Sequence, residues 1–412
     1  MTPVGGPLIF LSDWKSLGLH ERRIVIAAFL GWTLDAFDFF LLVFVLKDVA
    51  NAFSVTLTTV TEAIFLTLAT RPLGALFFGA LADRFGRRPV LMAVVLLYPF
   101  FGFLSAMAPT IGVFLVLRGL FGVAMGGEWG AGSSLVMESI PAGCRGFVSG
   151  LLQAGYPSGY LLASLAFAIL YPVTGWRGLL MLGILPAFLV FFIRRNVPES
   201  PSFSRKENQA PISWKTLVRR DWKLAVYAIV LMTAFNFMGH GTQDLYPTFL
   251  ETIHHLSPAT VGGIAVFYNM GAILGGIVLG TISERIGRRR AILLAALLVL
   301  GVLPFWAGAD GWKALTAGAF LMQFAVQGAW GVIPVYLNEI SPPEARGSFP
   351  GVVYQTGNLL ASANATLQSL LANRLDGQLG IALTIVAGVS ALAIALLIGR
   401  GPEKKGEHLH CG

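Results

Sequence analysis

Apolar residues run in stretches of roughly 20 along almost the whole chain, each long enough to cross a bilayer as a helix. Short polar or glycine-rich segments separate them. Twelve spans are predicted: 24–46, 57–81, 90–108, 112–137, 145–170, 177–195, 223–245, 258–282, 290–308, 312–337, 347–372 and 379–399. They are numbered span 1 to span 12 below. The runs are continuous and lack the period-2 alternation of a membrane β-barrel. The expected fold class is therefore an all-α membrane protein.

The polar punctuation repeats. Gly79-Ala80-Leu81-Ala82-Asp83-Arg84-Phe85-Gly86-Arg87-Arg88-Pro89 returns as Gly280-Thr281-Ile282-Ser283-Glu284-Arg285-Ile286-Gly287-Arg288-Arg289-Arg290. The same offset carries Trp129-Gly130 onto Trp330-Gly331, Glu138 onto Glu339, Pro141 onto Pro342, and Arg145-Gly146 onto Arg346-Gly347. Internal symmetry inside apolar sequence is a mark of secondary transporters. It divides twelve transmembrane helices into two six-helix bundles. The expected division is 1–195 for the N-terminal bundle, 196–222 for a cytoplasmic linker, 223–400 for the C-terminal bundle and 401–412 for a cytoplasmic tail. Residues 196–222 form the longest polar stretch and hold Pro198, Pro201 and Pro211. Trp14-Lys15-Ser16-Leu17 before the first bundle resembles Trp214-Lys215-Thr216-Leu217 before the second. Both are expected to be short amphipathic helices on the inner surface.

Composition sharpens this picture. Fifty-five per cent of residues are hydrophobic and 12 % are charged, against about a quarter charged in a soluble domain. The 48 glycines suit close helix packing in lipid. Of the 29 Lys and Arg, Lys47, Arg177, Lys313 and Arg374 fall in loops on one side and Arg71 and Arg118 inside spans. The rest lie on the side that holds both termini. Excess basic residues mark the cytoplasmic side, so both termini are expected inside, in a plasma membrane of the bacterial inner-membrane type. The net charge of +8 thus reads as topology, and no nucleic-acid partner is expected. Span 1 follows Glu21-Arg22-Arg23 without a small-residue cleavage site and is expected to stay as an anchor. Cys144 and Cys411 both fall on the inner side, where a disulfide is not expected. His408, His410 and Cys411 read as a tail rather than a metal site, and no metal or cofactor is expected.

The repeated motif sits at the turns between spans 2 and 3 and between spans 8 and 9. Its glycines permit a tight turn, and its acid can cap the next helix or pair with arginine. Glu138 and Arg145, between spans 4 and 5, are suitable partners. Asp83, Arg87, Glu138 and Arg145, with Glu284, Arg288, Glu339 and Arg346, are expected to form a cytoplasmic gate that breaks during motion. With these motifs the chain resembles the major facilitator superfamily along its whole length. The resemblance implies the major facilitator fold, a central cavity and alternating access.

Ionisable groups at bilayer depth are costly and mark function. Asp35 and Asp38 lie in span 1, three residues apart on nearly one face. Arg71 lies about 18 Å of helix before Asp83. Arg118 and Glu128 share span 4. The repeat maps Asp35, Arg71, Arg118 and Glu128 onto Asn236, Ala272, Ala319 and Ala329, so folding of the helices does not require these charges. A guanidinium at this depth suits a carboxylate ligand. Arg71 is the first choice for that role and Arg118 the second. One of Asp35, Asp38 and Glu128 is expected to take a proton. Arg118 also opens Arg118-Gly119-Leu120-Phe121-Gly122-Val123-Ala124-Met125-Gly126-Gly127, which resembles the span-4 motif of proton-coupled members.

Span 7 carries Asn236, His240, Gln243 and Asp244 on one helical face. A polar stripe on a membrane helix should face a cavity or another helix. Its Asn236-Phe237-Met238-Gly239-His240-Gly241-Thr242-Gln243-Asp244 resembles the motif of lactate/pyruvate–proton permeases in the sialate–proton symporter family. Gly31-Trp32-Thr33-Leu34-Asp35-Ala36-Phe37-Asp38-Phe39 resembles that family's first span. The resemblance implies proton symport of a small monocarboxylate, with Asn236, His240 and Gln243 binding substrate and Asp244 in coupling. Gln327, Asn338, Tyr354, Gln355 and Asn358 are further cavity candidates. Sugar acids such as sialic acid, aromatic acids and zwitterions are alternative substrates. Gly155-Tyr156-Pro157-Ser158-Gly159 resembles an element of drug–proton antiporters and keeps that alternative open. A sensor would need a soluble output domain, and no nucleophile–base or metal-ligand spacing suggests an enzyme. The expected partners are a small carboxylate, protons and the lipid bilayer, and the chain is expected to work as a monomer.

Overall fold

A computed structural model describes residues 9–204 and 214–406. The elements are helices joined by turns, with no strand among the described residues. Ten helical stretches are long and apolar enough to cross a bilayer. One of them, Ala142–Asn196, contains both span 5 and span 6. Its helix breaks at Gly175, whose φ of 64° falls in the left-handed region. Span 11 is split into Phe349–Ala361 and Asn364–Arg374. The architecture is the twelve-helix arrangement in two six-helix bundles.

The repeat reappears in local chemistry. Thr56 caps the helix Leu57–Phe85 by accepting from Thr59 N–H at 3.2 Å, and Ser257 caps Pro258–Ile286 by accepting from Thr260 N–H at 3.3 Å. These two helices end at Gly86 and Gly287, with φ of 108° and 97°. Only glycine takes such angles without strain, so the motif turns there into spans 3 and 9. Spans 2 and 4 pack along their lengths, as do spans 8 and 10. A methyl on Gly74 would come 2.7 Å from the carbonyl carbon of Val123, and one on Gly275 equally near that of Phe324. Both pairs approach backbone to backbone.

Spans 4 and 10 are interrupted. Ile111–Gly126 gives way to Glu128–Ser139, and Trp312–Trp330 to Ile333–Ile340. Ile9–Ser16 is a short helix ahead of span 1, held where the Arg22 guanidinium donates to the carbonyls of Trp14 and Lys15 at 3.1 and 2.9 Å. Trp214 instead opens one helix that runs to Gln243, with a break in helical geometry at Asp221. Of the linker, Pro211 lies outside the described residues. So do His408, His410 and Cys411 of the tail.

Two acids beyond the repeated motif each tie the segment after one bundle's last helix to that bundle's own motif turn. Glu199 accepts from the backbone N–H groups of Arg87 and Arg88 at 2.9 and 3.1 Å. Glu403 does the same for Arg288 and Arg289 at 3.2 and 2.9 Å. Each carboxylate meets the unpaired N–H groups and positive dipole end of a helix.

Candidate functional site

At the motif end the two halves are locked. Arg87 is fully buried and reaches Asp83 at 3.2 Å and Glu138 at 3.1 Å. Arg288 reaches Glu284 at 2.9 Å and Glu339 at 3.0 Å. The motif acids then cross between halves. Asp83 accepts from Gly347 N–H at 2.8 Å, and Glu284 accepts from Gly146 N–H. Gly347 and Gly146 directly follow Arg346 and Arg145. The Arg145 guanidinium donates to the carbonyl of Met137 at 3.0 Å, and the Arg346 carbonyl accepts from Ser134 at 2.5 Å. Breaking this end apart therefore exposes buried charge and unpaired backbone together.

Deeper in the N-terminal half, Asp35, Asp38, Arg71, Arg118 and Glu128 are all buried. Among the described residues no ion pair within 4.0 Å joins them. The sequence presented them as one cluster, and the structure sets the acids against different arginines, although Asp35 still acts on Asp38. Arg71 is the opposite charge acting on Asp35 and Glu128, and Arg118 is the one acting on Asp38. Neither carboxylate oxygen of Asp35 or Asp38 has a hydrogen-bond partner. Arg71 donates to the Met125 sulfur at 2.6 Å and lies over the Phe39 ring at 5.2 Å. Arg118 lies between the rings of Phe121 and Phe114, at 4.9 and 5.7 Å. Asp38 faces spans 3 and 6, because a methyl on Gly102 would sit 3.1 Å from its Oδ2 and one on Gly183 2.9 Å from its Cγ. Glu128 faces span 1 at Gly31.

A cavity of about 50 Å³ lies between the halves. Asn236, Gly239, His240 and Gln243 line it from span 7, so three members of the stripe face it and Asp244 does not. His240 holds Asp244 Oδ1 at 3.2 Å from Nδ1 and Asn358 Oδ1 at 3.0 Å from Nε2. Gln243 donates to Gln323 at 2.8 Å, and Asn236 donates to the Met232 carbonyl of its own helix at 2.8 Å. Gln368 donates to the Gly241 carbonyl at 2.8 Å, which ties span 7 to the far part of broken span 11. Of the further candidates, Gln327 and Tyr354 line the cavity and Asn358 supports His240. Asn338 donates to the Pro334 carbonyl at 2.8 Å, and Gln355 is buried with its Oε1 unpartnered. Larger hollows of about 660 and 620 Å³ exist, but each is walled by the C-terminal half alone.

Neither expected arginine lines the cavity. Arg71 is buried against Met125 and Phe39, close enough for its charge to reach the wall residues Tyr156, His240 and Tyr354. Arg118 does not fit the expected place beside the substrate, because its aromatic bed and its link to Asp38 put it inside the N-terminal bundle. Sequence reasoning missed the aromatic part of the wall: Trp32, Tyr156 and Trp330. The repeated Trp129-Gly130 and Trp330-Gly331 were a visible signal, read only as symmetry. Gln153 was missed with no signal of its own. Gly155 and Gly159, in the element resembling drug antiporters, lie against the span-1 backbone and let the two helices touch.

Comparison with known proteins fits this geometry. The family model described as Major Facilitator Superfamily matches residues 28–249 and 245–410. A carboxylic acid transporter protein homolog of Saccharomyces cerevisiae is 29 % identical over 399 residues, covering 90 % of this chain and 64 % of that protein. The sialic acid transporter NanX of Escherichia coli is 25 % identical over 393 residues, covering 94 % and 95 %. The solved proton:xylose symporter XylE superposes with a TM-score of 0.79 at 18 % identity, covering 95 % of this chain and 98 % of that one, a likeness of fold alone. The family and the transporter-named relatives make this a membrane transporter, not an enzyme. The chain belongs to the major facilitator superfamily.

Proposed function

We propose that this protein imports a small monocarboxylate together with one proton, by alternating access across a bacterial inner membrane with both termini in the cytoplasm. The observation that carries the reading is the placement of unpaired buried charge within reach of a polar cavity, in one half only. Relatives whose names concern carboxylic and sialic acids support an organic-acid substrate. The span-7 motif favours the lactate/pyruvate end of that class.

Arg71 supplies the positive charge for the substrate carboxylate, and Asn236, His240 and Gln243 complete the site from the other half. Asp35 and Glu128 share Arg71 and compete with the anion for it. Asp38 and Arg118 form a second acid–base set on the proton side. A bound anion crossing a low-dielectric centre is expensive unless compensated, and a proton on Asp35, Asp38 or Glu128 removes the excess charge. The motif-end ion pairs close the cytoplasmic side until the loaded carrier turns, and Asp244 sets the charge of His240. The monomer contains every group invoked.

The test is uptake of labelled lactate, pyruvate and sialic acid into proteoliposomes, under a pH gradient alone or a membrane potential alone. Accumulation is expected for the small acids under the pH gradient. Accumulation that follows the potential and ignores the pH gradient overturns electroneutral symport. Uptake of sialic acid alone moves the reading to sugar acids.

A further inference from the structure

The cavity wall carries four indole and phenol rings beside its polar groups, and the rings come from both halves. Trp32 and Tyr156 stand on spans 1 and 5, with centroids 5.8 Å apart. Trp330 and Tyr354 stand on spans 10 and 11, 5.5 Å apart. Tyr354 also meets Trp32 at 6.4 Å and Trp129 at 4.7 Å, so one ring touches three indoles across the junction of the halves. Phe235 backs Trp330 at 5.4 Å and Phe40 backs Tyr156 at 5.4 Å. These spacings lie in the range where aromatic pairs attract. Rings fixed from behind lose little further freedom when a ligand docks.

The same wall holds unsatisfied polar atoms. Trp32 is 2 % exposed, and its indole N–H has no partner. The Oε1 atoms of Gln153 and Gln327, 5 % and 6 % exposed, also have none. A buried polar atom without a partner is costly, so a ligand oxygen that meets the Trp32 N–H gains affinity, whereas the two amide oxygens need a donor that a carboxylate lacks. An indole N–H is a donor only and suits a carboxylate oxygen. At about 50 Å³ the cavity is far below the roughly 300–1,000 Å³ of ordinary small-molecule pockets. A substrate must therefore part the walls. A flat ring, with a contact thickness of about 3.5 Å, parts them less than a puckered ring of the same carbon count.

We propose that the preferred substrate is a flat carboxylate whose acid group is conjugated to a π system, ring acids of the benzoate type foremost, and that Trp330 and Tyr354 select it over saturated acids of equal size. The inference rests on the small-monocarboxylate reading above and names the subclass. An aromatic contact adds a factor of roughly 2 to 10 in affinity beyond the area buried. Contacts with both Trp330 and Tyr354 should then separate flat from puckered acids by about tenfold.

The experiment is calorimetric titration of the purified full chain in lipid nanodiscs, at neutral pH, with benzoate, cyclohexanecarboxylate, pyruvate and lactate. Benzoate and cyclohexanecarboxylate match in carbon count and charge and differ in flatness. Benzoate is expected to bind about tenfold more tightly. Trp330→Leu and Tyr354→Leu should each narrow that ratio to about twofold, while Trp330→Phe retains most of it. Thermal melting of each variant identifies those that fold, and the wild-type ratio decides the matter without them. Equal affinity for the two ring acids overturns the proposal, as does a ratio that survives both leucine variants. Binding of lactate without benzoate overturns the flat-acid preference and leaves the monocarboxylate reading standing. Binding of sialic acid in a parallel titration, with none of the four acids bound, overturns both.

Discussion

The two halves share the charged groups of the proposed gate and differ in their interiors. Arg87 with Asp83 and Glu138 is matched, group for group, by Arg288 with Glu284 and Glu339. Behind the gate the match ends. Asp35, Arg71, Arg118 and Glu128 are all buried, and at the corresponding positions Asn236, Ala272, Ala319 and Ala329 are equally buried but neutral. Burial is therefore the same and charge is not. On the proposed reading, what both halves keep serves the motion they make together. On the same reading, what one half carries alone serves the cargo and the proton, because buried charge unneeded for folding is costly.

The largest effect is expected at Arg71. Arg71→Gln should nearly abolish uptake while leaving the protein in the membrane, since loss of one member of a buried charge contact costs about 2–5 kcal/mol. Arg71→Lys keeps the charge without the planar fork and should lower affinity about tenfold. Ala272→Ser, at the matching place in the other half, should leave uptake within about twofold. Wild-type affinity in Arg71→Gln, measured by saturation uptake, breaks the assignment of cargo to the N-terminal half.

The next effect separates accumulation from exchange. Glu128→Gln, if it removes the true carrier, should abolish uptake driven by a pH gradient and preserve exchange of labelled for unlabelled substrate. The same pair of assays on Asp35→Asn and Asp38→Asn ranks the three acids. A set of three variants that all accumulate normally would remove the acids from coupling.

The gate should respond equally in both halves. Arg87→Ala and Arg288→Ala each leave a buried glutamate without its partner, and breaking such a pair costs about 3–5 kcal/mol. Similar drops in melting temperature are expected, with faster labelling of a cysteine placed at the motif end. A large effect in one half and none in the other would show that sequence symmetry is not energetic symmetry.

The smallest effect is a change of labelling rate along span 7. Cysteines at 236, 240 and 243 should react with a water-soluble thiol reagent and be slowed by substrate. Position 244 should react regardless of substrate, since Asp244 is 34 % exposed on its side chain yet off the cavity wall. Protection at 237 and 241 instead would mean that the opposite face meets the cargo.

Much of this was legible along the chain. Apolar run length gave the spans, because each membrane helix must satisfy its own backbone hydrogen bonds. The repeated motif exposed the duplication and the acids and arginines that pair at the motif end, since a charge network at a turn needs acids and bases at fixed spacing. The polar stripe of span 7 gave one cavity wall, through the helical period alone. Other features were not legible. Residues 35 and 38 sit nearly on one helix face, yet one acid answers to Arg71 and the other to Arg118. That division depends on which helices pack against span 1, and no spacing within span 1 encodes it. The exclusion of Arg118 from the cavity and the meeting of Trp32, Tyr156, Trp330 and Tyr354 are likewise products of inter-helix geometry. Sequence by itself determined the helices, their number, the duplication and the inventory of buried charge, because these follow from local hydrophobicity and residue spacing. Only the tertiary structure decided which charges share a neighbourhood and which rings form a wall, because those contacts join residues that lie far apart in the chain and meet only when the helices pack.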